Sequence, residues 1–316
     1  MLKYRITFFL KITVSASLVG YLFYKIGNQD FFSRVQSLDF SLLALPFALF
    51  FATIPMQAFR YYRLLNLHSR IPFPSVLQLT WTGAFFSQTL PSVMAGDVVR
   101  VVYLRRYGFH FTESLAVTLA DRLQGFLATI LTLGAAIPWL LYSIEDRLVS
   151  GAVALLFLGG ITGWLVVATL DLAAAWLPGM IRRHRLIDNL KTAAGFLRKA
   201  TFNPANMLPG LALSLLMQTI QALLIWRLAA AFDLSLSYWA VLFIMPVATL
   251  AGLLPISIGG WGVREVILVS LFGLIGAPPE AVLPVSILFG VLNTFIALPG
   301  LVTWLAMKRK TEAPSP

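Results

Sequence analysis

The chain has 316 residues, 59% hydrophobic and only 12% charged, with no cysteine and a net charge of +11. A soluble domain carries roughly 25% charged residues, so the composition excludes an ordinary globular domain. The lack of cysteine excludes disulfides, thiolate metal sites and cysteine nucleophiles.

Several apolar stretches reach about 20 residues without period-two alternation, which predicts spanning helices and not a barrel. The basic residues sit in short connections between these stretches. Cytoplasmic loops facing anionic lipid account for them better than nucleic acid does.

Lys3, Arg5 and Lys11 open a first predicted span over 6–26, which shows no small-residue cleavage site and reads as uncleaved. A second span over 40–59 ends in Arg60-Tyr61-Tyr62-Arg63, read as a cytoplasmic signature with interfacial aromatics. The stretch 74–106 differs: its apolar part is short, is broken at Pro91 and Gly96, and is basic at both ends. It reads as a re-entrant hairpin. A third span over 113–141 carries Asp121-Arg122 inside it, and a fourth covers 149–170 with a Gly159-x-x-x-Gly163 spacing. That spacing is either a helix-approach site or incidental.

The polar segment 171–206 carries Arg182, Arg183, Arg185, Lys191, Arg198 and Lys199 against Asp171 and Asp188, and is expected to be cytoplasmic. Leu186, Leu190, Ala194 and Leu197 recur at helical spacing, which predicts an interfacial amphipathic helix. A fifth span over 207–231 follows. A second broken stretch over 238–275 is interrupted by Pro255 and by Gly259-Gly260-x-Gly262, and its flanking links lack Lys and Arg, so it re-enters from outside. A sixth span over 282–307 closes with Lys308-Arg309-Lys310. Both termini are expected in the cytoplasm, and the whole of 1–316 forms one integral membrane domain.

The two broken stretches share a pattern. Pro91 aligns with Pro255, Gly96 with Gly260, and Val99-Arg100 with Val263-Arg264, at a constant offset of 164 positions. Loop charge assigns them opposite entry sides without using this match. Two Gly/Pro-interrupted segments in halves of opposite topology point to a transporter site. The expected fold is therefore an all-α polytopic membrane protein, with about six spanning helices plus two broken re-entrant hairpins in an inverted repeat.

The candidate site residues follow from the pattern. A charged side chain in the membrane costs about 2.5–3.5 kcal/mol on insertion scales, so Arg100 and Arg264 need a polar cavity, a partner, or a route to the interface by snorkelling. On the functional reading they line one cavity and bind an anionic head group, because the guanidinium fork matches phosphate. Asp97 and Glu265 are either structural ion-pair partners of these arginines or proton-coupled carboxylates that release them. Asp121 and Arg122 diverge by roughly 100° on a helix, so each is expected to meet a hairpin residue. Gln218 and Gln221 either line the same cavity or bond across helices. Gly259, Gly260 and Gly262 are candidates for backbone approach to a phosphate. No Walker pattern, metal-ligand spacing or nucleophilic triad is present, so no enzyme activity, metal or cofactor is expected.

Leu90-Pro91-Ser92 with Gly96-Asp97-Val98-Val99-Arg100, the internal Asp121-Arg122, and Pro255-x-Ser257-x-Gly259-Gly260-x-Gly262-x-Arg264-Glu265 together resemble the flippase-like membrane domain. That domain forms the N-terminal region of bacterial lysylphosphatidylglycerol synthases, the multiple peptide resistance factor proteins. Family patterns more often place Glu where this chain has Asp97 and Asp121. The resemblance implies a bacterial inner-membrane protein without the aminoacyltransferase domain. Its expected role is to move phospholipid, or a polyprenyl-linked or related anionic-head-group lipid, across the bilayer by alternating access. The alternative is a non-transporting accessory protein that binds lipid or a lipid- or glycan-biosynthesis enzyme. Homo-oligomerisation is compatible with either. On the transport reading, Arg264→Ala abolishes transport and leaves the protein folded.

Overall fold

The computed structural model describes residues 40–67, 69–90, 92, 94–144, 146–169, 185–252 and 259–312, with isolated positions before residue 40. The predicted span over 6–26 and the linker 171–184 therefore lie outside the described residues, as do Pro91, Val93 and the segment 253–258 within the two repeated motifs.

All described elements are helical. They are α1 (Phe40–Leu65), α2 (Phe73–Thr89), α3 (Ala95–Leu104) with a 3-10 turn at Arg105–Tyr107, α4 (Phe111–Ser143) and α5 (Arg147–Ala168). There follow α6 (Arg185–Phe202), α7 (Pro204–Ala231), α8 (Tyr238–Gly252), α9 (Val263–Gly273), α10 (Pro279–Ala297) and α11 (Pro299–Glu312). Local chemistry sets several starts. Asp146 accepts from the Leu148 amide at the head of α5, and Asn203 accepts from the Ala205 amide at the head of α7. Proline occupies the first turn of α2, α7 and α10, where a missing N–H costs nothing.

Five apolar helical stretches among the described residues are long enough to cross a membrane: Ser41–Leu65, Phe111–Ser143, Arg147–Ala168, Pro204–Ala231 and Pro279–Lys308. The last is the sixth predicted span. Its hydrogen-bond ladder is interrupted between α10 and α11, because Pro299 has no amide to donate, while Leu298 keeps helical dihedrals of φ −56° and ψ −37°. The α2, α3, α8 and α9 helices have 17, 10, 15 and 11 residues. At 1.5 Å per residue none reaches the roughly 30 Å of a hydrocarbon core.

Packing obeys a two-fold exchange. The α2 helix packs on α1 and α3, and α3 on α4; correspondingly α8 packs on α7 and α9, and α9 on α10. The crossing contacts match as well. Trp139 of α4 meets Phe243 of α8. In the other half, Trp81 of α2 donates Nε1–H to the Ile296 carbonyl at 3.1 Å, and Phe86 meets Trp304. The central pair, α1 and α7, is antiparallel. The end of α1 meets the start of α7 where Arg63 donates to the Ala205 carbonyl, while Leu43 and Phe50 share an apolar cluster with Leu228 and Phe232. An exchange whose central helices run oppositely is an inverted repeat. The two breaks meet: a Cβ added at Gly259 would stand 3.2 Å from Gln88 Oε1, one residue before the end of α2.

The α6 helix is more integrated than an interfacial strip. It packs on α4 and α7, and buries Ala194, Leu197 and Ala200 in an apolar cluster or against its neighbours; the side chains of Leu186 and Leu190 lie outside the described residues. Among the described residues, nothing lies within 4 Å of a Cβ built at Gly159 or Gly163. The close approach of α5 to α4 uses Gly134, against Phe157, and Gly160, against Ile130.

Close backbone approach also fixes α3 on α2. A Cβ at Gly96 would run into the Gly83 carbonyl and the Ser87 hydroxyl. Gly96→Ala is therefore expected to cost about 1–3 kcal/mol through overpacking, read as a lower thermal unfolding midpoint in detergent. An unchanged midpoint would mean that α2 and α3 do not pack this tightly.

Candidate functional site

The polar core of the first half is a cluster of five charges on three helices. Arg60 of α1 donates Nε–H to Asp121 Oδ1 of α4 at 2.7 Å and Nη1–H to Ser214 Oγ of α7 at 2.5 Å. Arg122 donates Nε–H to Asp97 Oδ2 of α3 at 2.6 Å. Arg100 lies between these pairs. Its Nη1 is 3.8 Å from Asp97 Oδ1 and 3.7 Å from Asp121 Oδ2, and its guanidinium sits 5.3 Å from the centroid of the Tyr61 ring. Tyr61 in turn shares a 2.8 Å hydroxyl contact with Thr118.

Each aspartate thus bonds one arginine through one oxygen and turns the other towards Arg100 without closing a hydrogen bond. Arg100 Nε and Nη1, Asp97 Oδ1 and Asp121 Oδ2 are buried and have no hydrogen-bond partner among the described residues. The large majority of buried side-chain polar atoms in proteins have such a partner. Arg100 is 3% exposed and Asp121 is fully enclosed. Snorkelling to an interface is therefore not what Arg100 does.

Sequence reasoning placed Asp97, Arg100, Asp121 and Arg122 near one another, and the structure brings them together. Asp121 and Arg122 do not pair with each other: Arg122 meets Asp97 on α3, and Asp121 meets Arg60 and faces Arg100. The sequence expects Arg60 and Tyr61 at a cytoplasmic helix end with interfacial aromatics, whereas the structure buries both. Helix α1 continues to Leu65, so both lie inside it, 5% and 0% exposed. Arg60 is tolerated there because Asp121, 61 positions downstream, neutralises it. The available signal was that Arg60 precedes further helix-forming apolar residues, Leu64 and Leu65, and so is not at a helix end. Gln218 makes a long helix-to-helix contact, donating Nε2–H to Thr129 Oγ1 of α4 at 3.4 Å.

The second half is built differently. Gly259, Gly260 and Gly262 have φ of 57°, 80° and 88°, in the left-handed region that favours glycine. This turn sets Trp261 beneath Arg264, whose guanidinium carbon is 5.1 Å from the Trp261 ring centroid and 5.4 Å from that of Phe289. Arg264 is bound twice to its neighbour Glu265, through Nε at 3.0 Å and through Nη2. Adjacent helical side chains ordinarily diverge. These two meet because Glu265 turns back to cap α9, its Oε2 accepting the Gly262 amide at 2.6 Å. Ser286 of α10 contributes a weak third contact to Glu265 Oε1 at 3.4 Å.

Two expectations change as a result. The Gly262 amide, a candidate for phosphate, is already taken by Glu265. Arg264 is the cation that neutralises a fully buried carboxylate, so Arg264→Ala is now expected to strand Glu265 and to destabilise the fold as well as affect any transport. Among the described residues, Arg100 meets Tyr61, Asp97 and Asp121, whereas Arg264 meets Trp261, Glu265 and Phe289. Cavities of about 730 and 740 Å³ lie elsewhere, one bounded by Trp139, Ser143, Asp146 and Ser237, the other by Phe196, Arg198, Lys199 and Asn206. Neither is lined by any of the charged residues of the two clusters.

Comparison with curated proteins returned no match. The family described as the lysylphosphatidylglycerol synthase TM region matches residues 8–300. This match covers both broken helix pairs and both charged clusters, and the chain belongs to that family.

Proposed function

We propose that this protein moves a phospholipid, or a related lipid with an anionic head group, between the leaflets of a bacterial inner membrane, and does so as a transporter and not as an enzyme. The observation that carries this reading is the charged cluster seated where the halves meet, with Arg60 of one half bonded to Ser214 of the other. A head group crossing unaided loses its hydration. Fixed arginines within the bilayer offset that loss, and two halves related by inverted exchange supply two equivalent ways of rocking about them. Membership of a family built on a lipid-synthase membrane region supports lipid as the cargo.

Alternating access requires the contacts between halves to break and re-form. Thr82 of α2 and Thr303 of α11 form one of them, their hydroxyl oxygens 2.8 Å apart. The chain has no cysteine, so Thr82→Cys with Thr303→Cys introduces a single possible disulfide. In proteoliposomes with labelled phospholipid, the unmodified protein is expected to accelerate movement between leaflets. The oxidised double variant is expected to be arrested and to recover on reduction. Movement no faster than in protein-free vesicles would sink the proposal, and full activity in the oxidised form would sink the rocking mechanism.

A further inference from the structure

The two clusters differ in charge. The second holds one arginine and one glutamate, mutually bonded, and is neutral. The first holds Arg60, Arg100 and Arg122 against Asp97 and Asp121, three positive charges against two negative, all on apolar helices. A buried charge without a counterion is strongly disfavoured. The surplus of one coincides with two unpartnered nitrogens of Arg100, itself more than nine-tenths buried.

Exposure falls in one direction across this cluster. The side chain of Arg122 is 36% exposed, Asp97 16%, Arg100 4% and Asp121 0%. The way in is therefore past Arg122. Its Nε is committed to Asp97, while its terminal nitrogens have no hydrogen-bond partner among the described residues.

Resting on the lipid reading above, and narrowing it, we infer that the Arg122–Arg100 end of the first cluster is a capture site for one monoanionic phosphodiester, and that the Arg264–Glu265 pair is structural and takes no ligand. A phosphodiester carries a single negative charge and non-bridging oxygens that match the guanidinium fork. Binding at Arg122 cancels the surplus charge. It also loosens Asp97 from Arg122, and Asp97 Oδ1 stands 3.8 Å from Arg100 Nη1, close enough to complete that bond with a small side-chain shift. The ligand and Asp97 thus compete for Arg122, and each has an arginine available.

The test uses opposite charge changes at two residues already in contact. The full-length protein is assayed in nanodiscs by native mass spectrometry for retention of phosphatidylglycerol, with diacylglycerol as the phosphate-free control. Excess inorganic phosphate is the competitor that separates a lipid head group from a free anion. Arg122→Gln makes the cluster neutral and is expected to weaken phosphatidylglycerol retention by roughly tenfold, the scale of one charge-assisted hydrogen bond. Asp97→Asn raises the surplus to two and is expected to strengthen retention. Structural damage alone would weaken both.

Retention lowered in both variants, unchanged in both, or equal for diacylglycerol overturns the inference. Displacement by inorganic phosphate assigns the site to a free anion and overturns the lipid head group. Retention that follows the charges, in a protein that moves no lipid, would leave the site standing and remove the transport reading. Lipid movement indifferent to both substitutions would do the reverse.

Discussion

Replacing Asp121 by alanine is expected to destabilise the protein by about 3–5 kcal/mol, the cost of breaking a buried ion pair from one side. Asp121 is fully enclosed. It is the hydrogen-bonded carboxylate of Arg60 and one of two carboxylates facing Arg100. Without it the cluster holds three arginines against Asp97 alone, inside apolar helices. The effect should appear as an early thermal unfolding transition in detergent.

The double variant Arg60→Leu with Asp121→Leu removes one charge of each sign and restores the original surplus. It is expected to be less damaged than Asp121→Leu alone, with a favourable coupling in the double-mutant cycle. Strictly additive losses would mean that Arg60 and Asp121 do not depend on each other, contrary to their 2.7 Å contact.

Removal of Glu265 has the second large effect, also about 3–5 kcal/mol, because it strands Arg264 between Trp261 and Phe289. Glu265→Ala also leaves the Gly262 amide without its cap at the start of α9. Glu265→Gln separates the two losses. Its amide oxygen can still accept from Gly262, so it retains roughly 1 kcal/mol of capping and loses the charge pair.

The expected order of unfolding midpoints is wild type, then glutamine, then alanine. Arg264→Ala combined with Glu265→Ala should lie closer to wild type than Arg264→Ala alone, because no charge is then left buried. If Arg264→Ala alone unfolds at the wild-type temperature, the pair is not structural and the division of labour between the clusters fails.

The broken helix pairs were legible because their signals are local. Clustered proline and glycine mark the two breaks, although single prolines such as Pro46, Pro138 and Pro246 lie inside helices, and the resulting helices of 17, 10, 15 and 11 residues are too short to span. The entry of α2–α3 and α8–α9 into opposite halves was legible through the equal spacing from Pro91 to Arg100 and from Pro255 to Arg264. The contact between Asp97 and Arg122 could be anticipated in part, since neighbours on α4 diverge and must look outward. Arg60 could not, because its aromatic and basic neighbours imitate a membrane interface. Only Leu64 and Leu65 hint that α1 continues beyond it.

By itself the sequence determined that this is a helical membrane protein, where its two helix pairs break, and which charged residues sit at those breaks. Hydropathy, helix length and the stereochemistry of proline and glycine act over a few residues and survive without tertiary context. The tertiary structure alone decided which charges meet. Arg60 finds Asp121 across 61 positions and Ser214 across 154, and Arg264 finds the residue next to it. Ion pairing in a low-dielectric interior depends on distance in space and on enclosure, and neither is a property of spacing along the chain. For that reason two motifs that read as equivalent become a closed, neutral pair in one half and an open cluster with one charge to spare in the other.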